Sequence, residues 1–252
     1  VRLWGQIYGK MFPLHVNIQA DPASAVIALA DLVAGAGTSA GAAERSARLG
    51  ERHAELLRDA REGALASVKD GKITRQYLGL ALYEAIKGYD WVLADRDIRG
   101  RAALKLWDAR HAYQYQGTER SGLGNAYGRS LGVALANRGT GRLAVNFQPD
   151  GDLLFTPSAL WTAAHLKLPI TYVIANNKGY RILKQRLQAF HGNDNFIGMD
   201  FTDPPIDFVE LAQSMGVPAE RITEPGAVRP ALEAAMASGG PTLLDVMVDR
   251  SV

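Results

Sequence analysis

The feature that most constrains this chain is an alternation that begins at Ile73, where short apolar, β-branched segments are separated by helical stretches. Apolar spacing predicts helices over Thr74–Ile86, Leu123–Asn137, Pro157–Leu168, Asp207–Gly216 and Ala227–Ser238. It predicts strands over Trp91–Ala94, Arg142–Phe147, Ile170–Ala175 and Thr242–Val248. Strands that alternate with helices pair in parallel, and the crossover helices cover the sheet. The expected fold is therefore α/β, a doubly wound, mostly parallel sheet with helices on both faces. In such sheets ligands bind beyond the carboxyl ends of the strands. That rule selects three loops: Asp95–Arg101, Pro149–Asp152 and Asn176–Tyr180.

Upstream of Ile73 the pattern differs. Leu14–Ile18 is a short apolar stretch, and Asp21-Pro22 reads as an N-cap followed by a proline in the first helical turn. Thr38 to Lys72 is rich in Ala, Glu and Arg and reads as a polar helical connector. The expected organisation is a first zone over 1–37, a connector over 38–72 and an α/β domain over 73–252. The chain starts at Val1, and Pro13–Asp21 already reads as mid-domain sequence, as in a fragment, a processed subunit or a chain with an earlier part.

Composition excludes several function classes. The net charge is +2, from 28 basic and 26 acidic side chains interspersed along 252 residues. That balance offers no electrostatic basis for nucleic acid or an anionic membrane as partner. With no cysteine there is no disulfide, no thiolate nucleophile and no Cys-ligated zinc. A cysteine-free chain fits a reducing compartment, and the expected location is cytoplasmic. No apolar run reaches the roughly 18 residues that a membrane-spanning helix needs. The five histidines carry no catalytic assignment; His111 is the one whose position before a glycine-rich loop suggests a place near an active site.

Two of the selected loops share a chemistry. The strand ending at Phe147 leads into Gln148-Pro149-Asp150-Gly151-Asp152, and the strand ending at Ala175 leads into Asn176-Asn177-Lys178-Gly179. Neighbouring parallel strands bring Asp150 and Asn177 to one sheet edge. A carboxylate and an amide oxygen are hard ligands suited to a magnesium ion that also takes phosphate oxygens. The helix start near Pro157 adds free N–H groups that favour phosphate. Asp-Gly and Asn-Lys-Gly are also common turn formers, so the residue types alone leave both readings open.

The order and spacing of further segments add to this. Asp150-Gly151-Asp152, Ala159-Leu160-Trp161-Thr162-Ala163-Ala164, Leu168-Pro169 and Asn176-Asn177 together resemble the signature of thiamine diphosphate-dependent enzymes, in the branch of acetolactate synthase, benzoylformate decarboxylase and 2-hydroxyacyl-CoA lyase. Gly117 and Ser121-Gly122-Leu123-Gly124 resemble the loop that receives the aminopyrimidine ring. Trp91–Ala94 with Asp95–Gly100 resembles, more loosely, the first strand and its diphosphate loop. Pro149 departs from the signature, which opens on glycine there.

The resemblance implies thiamine diphosphate and Mg2+ as cofactors. Asp150 and Asn177 would ligate the metal through side chains and Gly179 through its carbonyl. Gly100, Gly151, Asp152 and Tyr180 would lie along the diphosphate. Ser121, Gly122 and Leu123 would hold the pyrimidine end, with Leu123 as an apolar buttress. It also implies a carbon–carbon lyase, synthase or decarboxylase acting on small 2-oxo acids or related carbonyls. Its activating glutamate would come from a pyrimidine-binding half absent from this chain, carried by a further chain or domain of a homo- or hetero-oligomer, a dimer or tetramer. A split enzyme with that half as a separate subunit, or a catalytically silent binding module of the same fold, are the alternatives.

Overall fold

The computed structural model describes residues 15, 16, 18–96, 106–114 and 123–251. The chain divides into two compact units, Val1–Glu55 and Leu56–Val252. In the first, α1 (Pro22–Ala36) starts as its sequence predicts. The Asp21 carboxylate accepts the Ser24 amide at 2.9 Å, and Pro22 occupies the first turn. The helix stops at Gly37, in a left-handed region at φ 70°. The polar helix α2 (Ala42–Ala66) follows.

The remaining elements are α3 (Arg75–Ile86), β1 (Trp91–Arg96), α4 (Asn125–Ala136), β2 (Leu143–Pro149), α5 (Asp150–Leu153), α6 (Ser158–His165), β3 (Ile170–Asn176), α7 (Arg181–His191), α8 (Phe208–Ser214), β4 (Ala219–Ile222), α9 (Pro225–Ala237) and β5 (Thr242–Met247). The five strands form one sheet in the order β1-β2-β3-β5-β4, and every pair is parallel. This is the doubly wound α/β architecture expected from the alternation.

Alternate residues of the central strands feed two separate cores. On one face Val145, Phe147, Val173, Ala175, Leu244 and Val246 pack with α3 and α9, through side chains such as Leu78, Leu82, Val228 and Leu232. On the other, Ala144, Ile170, Tyr172, Ile174 and Leu243 pack with α4, α6 and α8, through Tyr127, Leu160 and Phe208. Each large apolar side chain taken fully out of water contributes about 1.5–3 kcal/mol. Burial on both faces explains why β3 is apolar almost throughout and buried at every position.

Three elements differ from the sequence expectation. The edge strand β4 is Ala-Glu-Arg-Ile, with only Ile222 buried, so it lacks the apolar signature of a strand. The single turn α5 follows β2 directly and separates it from α6. Helix α7 has no fully buried residue and carries Arg181, Lys184 and Arg186, of which Lys184 pairs with Asp200. Among the described residues no helix is long and apolar enough to cross a membrane.

Candidate functional site at the carboxyl ends of β2 and β3

The β2–β3 register pairs Pro149 with Ala175, so the two strands end side by side and release Asp150 and Asn177 at one edge of the sheet. Pro149 fits this position. Among the described residues the pairing of β2 with β1 ends at Phe147, and a proline at a strand end deprives the ladder of no donor.

Asp150 is the first residue of α5 and is fully buried. Its Oδ1 accepts the amide of Gly151 at 2.9 Å and its Oδ2 accepts the amide of Gly179 at 3.0 Å. The second bond ties the end of β2 to the turn after β3. Burial pushes the carboxyl up to about 6, against the pull of the Gly179, Gly151 and Lys178 amides and the charge of Arg75. Each carboxylate oxygen with one donor still has acceptor capacity.

Asn177 is buried, and its Oδ1 has no hydrogen-bond partner. A buried amide oxygen left unpaired costs about 1–3 kcal/mol unless something else satisfies it. Beside a desolvated carboxylate, that oxygen is suited to a hard cation. Among the described residues no group of three or more His, Cys, Asp or Glu could hold a metal. A cation here would therefore complete its shell with backbone carbonyls, water or phosphate oxygens, as Mg2+ does. The Gly179 carbonyl accepts the Arg181 amide at 3.0 Å and keeps a second lone pair.

The turn that carries Asn177 is held from several sides. Lys178 sits at φ 57°. Its amide donates to Asn176 Oδ1 at 2.9 Å, and its carbonyl accepts the Phe201 amide at 3.0 Å. A Cβ on Gly179 would lie 2.4 Å from the Met199 carbonyl, so only glycine fits. The amide of Tyr180 donates to that same carbonyl at 2.9 Å. The Tyr180 ring packs over Gly151 and meets Phe201 edge-on, with centroids 4.7 Å apart.

Asp152 extends the site toward α4. Its Oδ1 accepts the amide of Gly124 at 2.9 Å, and the Gly124 carbonyl accepts the Thr156 hydroxyl at 2.7 Å. The start of α4 is thereby fixed to the segment after β2. Leu123, the residue before this anchor, is 64% exposed. Thr156 was not among the expected site residues, and Gly124 was expected only as part of the glycine-rich loop, because neither pairing leaves a local pattern in the sequence.

Other expectations have plain outcomes. Gly100, Ser121 and Gly122 lie outside the described residues. The leading amides of α6 are engaged, Ala159 with the Thr156 carbonyl and Leu160 with that of Pro157, so this helix start does not present them to phosphate. His111 stacks on Tyr113 at 5.1 Å, and Tyr113 donates to Asp90, which precedes β1. His111 therefore stands near the amino end of β1, away from the strand ends that release Asp150 and Asn177. His165 stacks on the exposed Trp161, with centroids 4.8 Å apart.

Comparison with known proteins decides the family. Residues 101–246 match the model described as "Thiamine pyrophosphate enzyme, C-terminal TPP binding domain". The chain belongs to this family. The match covers β2, β3 and both loops of the site. The Mycobacterium tuberculosis protein IlvX, which carries the name of an acetolactate synthase large subunit, is 37% identical over 131 residues, or 50% of this chain and 25% of its own. Acetolactate synthase 2 of Zea mays is 29% identical over 254 residues, covering 95% of this chain and 38% of its own. The crystal structure of benzoylformate decarboxylase from Polynucleobacter necessarius superposes with a TM-score of 0.65 at 18% identity, covering 71% of this chain and 34% of that one, which establishes a shared fold. The chain thus spans about a quarter to two-fifths of the length of these thiamine pyrophosphate enzyme relatives.

Proposed function

We propose that this chain supplies the diphosphate- and magnesium-binding half of a thiamine diphosphate-dependent enzyme that breaks or makes a carbon–carbon bond beside a carbonyl, on 2-oxo acids or related substrates. The observation that carries this reading is the buried pair at the ends of β2 and β3: a desolvated Asp150 carboxylate and an Asn177 amide oxygen with no partner. In this reading Asp150, Asn177 and the Gly179 carbonyl would hold Mg2+, which would offset the charge of the diphosphate. Gly151 and Tyr180 line the diphosphate, with Asp152 fixing the approach to it. Leu123, just ahead of the Gly124 anchor, would buttress the pyrimidine end; the resemblance alone adds Ser121 and Gly122 there and Gly100 or a neighbouring amide at the phosphates. The domain concerned is 73–252, following the tail of a middle domain over 1–37 and a helical connector over 38–72.

Thiamine diphosphate, when bound, supplies the electron sink for the carbon–carbon chemistry. The residues of this chain bind and orient: the carboxylate and amide fix the metal, and the Asp150–Gly179 bond keeps both strand ends at one spacing. The names of the relatives, acetolactate synthase and benzoylformate decarboxylase, support the substrate class. The activating glutamate is expected from a chain or domain that carries the pyrimidine-binding half, in a cytoplasmic homo- or hetero-oligomer, a dimer or tetramer. Calorimetric titration of the chain with thiamine diphosphate tests the reading. Heat of binding is expected with Mg2+ present and is lost in chelator. Equal binding with and without a divalent ion would contradict it.

A further inference from the structure

A buried acid outside the metal pair has no account in the fold itself. Asp245 lies mid-strand in β5 and is fully buried. It pairs with Ile174 of β3 on one side and with Arg221 of β4 on the other. Burying a carboxylate is costly, and an apolar residue of similar size usually serves a sheet interior as well or better. The contacts of Asp245 indicate what its presence achieves.

Its two oxygens face in different directions. Oδ2 accepts the Arg221 Nε at 2.9 Å, and the other end of that guanidinium meets Asp207 at 2.9 Å. Oδ1 accepts the Asn176 Nδ2 at 2.7 Å. This bond fixes which way the Asn176 amide points, so that its Oδ1 accepts the Lys178 amide at 2.9 Å. Lys178 holds a left-handed backbone at φ 57°, a conformation that is uncommon for a residue with a side chain and needs local support. The next amide, Gly179, then donates to Asp150 at 3.0 Å. A continuous path runs from Arg221 through Asp245 and Asn176 to the turn that presents Asn177, and on to Asp150.

We infer that Asp245, held by Arg221, is a positioning residue for the Asn176–Gly179 turn and so sets the affinity of the metal and diphosphate site without touching either. This rests on the metal-site reading above. Partners that orient metal ligands typically change affinity about 10–100-fold when removed.

The test uses the full chain and two readouts. The first is the backbone amide signal of Lys178 in the metal-free protein, by NMR. The second is Mn2+ affinity in the presence of thiamine diphosphate, by electron paramagnetic resonance. Asp245→Asn is expected to shift or broaden the Lys178 and Gly179 amides and to weaken Mn2+ binding about tenfold. Arg221→Gln, at the partly exposed end of the path, tests the same relay where Asp245→Asn fails to fold; it is expected to weaken binding less, and Arg221→Lys to restore part of the loss. Glu233→Gln, which breaks only the surface pair with Arg229 on α9, is expected to change neither readout. Folded variants with an unmoved Lys178 amide and Mn2+ affinity within about twofold of wild type would overturn the inference. A wild-type chain that binds no Mn2+ but whose Lys178 amide moves in Asp245→Asn would overturn the functional reading and leave the relay standing.

Discussion

The carboxylate of Asp152 and the backbone amide of Gly124 are joined at 2.9 Å, across a separation of 28 residues. That single bond makes the helix start that precedes α4 and the loop that follows β2 one structural unit. Thr156 reinforces it through the Gly124 carbonyl. The two segments resemble different parts of the thiamine pyrophosphate site, so the bond sets the distance between them.

Removing that link has a defined consequence. Asp152→Ala leaves the buried Gly124 amide without its acceptor and is expected to cost about 1–3 kcal/mol. Asp152→Asn, which keeps an acceptor oxygen, is expected to cost less. Urea unfolding of the three proteins measures the difference, and equal stabilities would show that the bond contributes nothing.

Gly124 itself tolerates no side chain. Its φ is 86°, and a Cβ would stand 2.5 Å from the Cβ of Phe155. Gly124→Ala is expected to destabilise by more than about 1 kcal/mol. Because the clash is with Cβ, Phe155→Ala does not relieve it. Phe155→Gly in the same chain relieves the contact but not the backbone strain. Melting temperatures of the single and double variants separate the two contributions.

Asp207 caps α8 by accepting the Val209 and Glu210 amides at 2.9 and 3.1 Å, and it pairs with Arg221. The Glu210 amide, then Arg221, hold its carboxyl below the ordinary value of 3.8. A depressed folded pKa stabilises the fold above the unfolded pKa, and the gain is lost as pH falls through the folded value. Asp207→Ala is expected to cost about 0.5–2 kcal/mol at neutral pH. The gap from wild type should close as pH falls below about 3.8. Unfolding free energies at pH 7 and near pH 2 check it; a gap that widens in acid would contradict the assignment.

Gly179→Ala tests the turn. Its Cβ would meet the Met199 carbonyl, a backbone atom with little freedom to yield. The expected result is a shift of the turn that breaks the Gly179–Asp150 bond, seen as loss of protection of the Gly179 amide in hydrogen exchange. Retained protection would show that the segment around Met199 gives way instead.

The sheet was legible where burial is two-sided. Ile170–Ala175 is β-branched and apolar enough to read as a strand almost to its ends, and β3 runs from Ile170 to Asn176. The strand ends that carry Asp150 and Asn177 followed from that alternation. Strand β4 was not legible: two of its four residues, Glu220 and Arg221, are exposed, and an edge strand of this kind leaves no apolar pattern. The contacts that tie the site together were also hidden. Asp152 with Gly124, Tyr180 over Gly151 and Asp245 with Asn176 join residues far apart in sequence, and nothing in local spacing announces them. The expected phosphate-facing start of α6 failed for a local reason: the extra turn α5 intervenes, and the amides of Ala159 and Leu160 are already engaged.

The most direct test of the central claim is native mass spectrometry of the assembly that contains this chain, in thiamine diphosphate and Mg2+. The predicted result is a retained mass equal to thiamine diphosphate plus magnesium, lost in Asp150→Ala or in chelator. An assembly that takes up no cofactor at millimolar concentration, or that keeps it unchanged in Asp150→Ala, would contradict the site at the ends of β2 and β3.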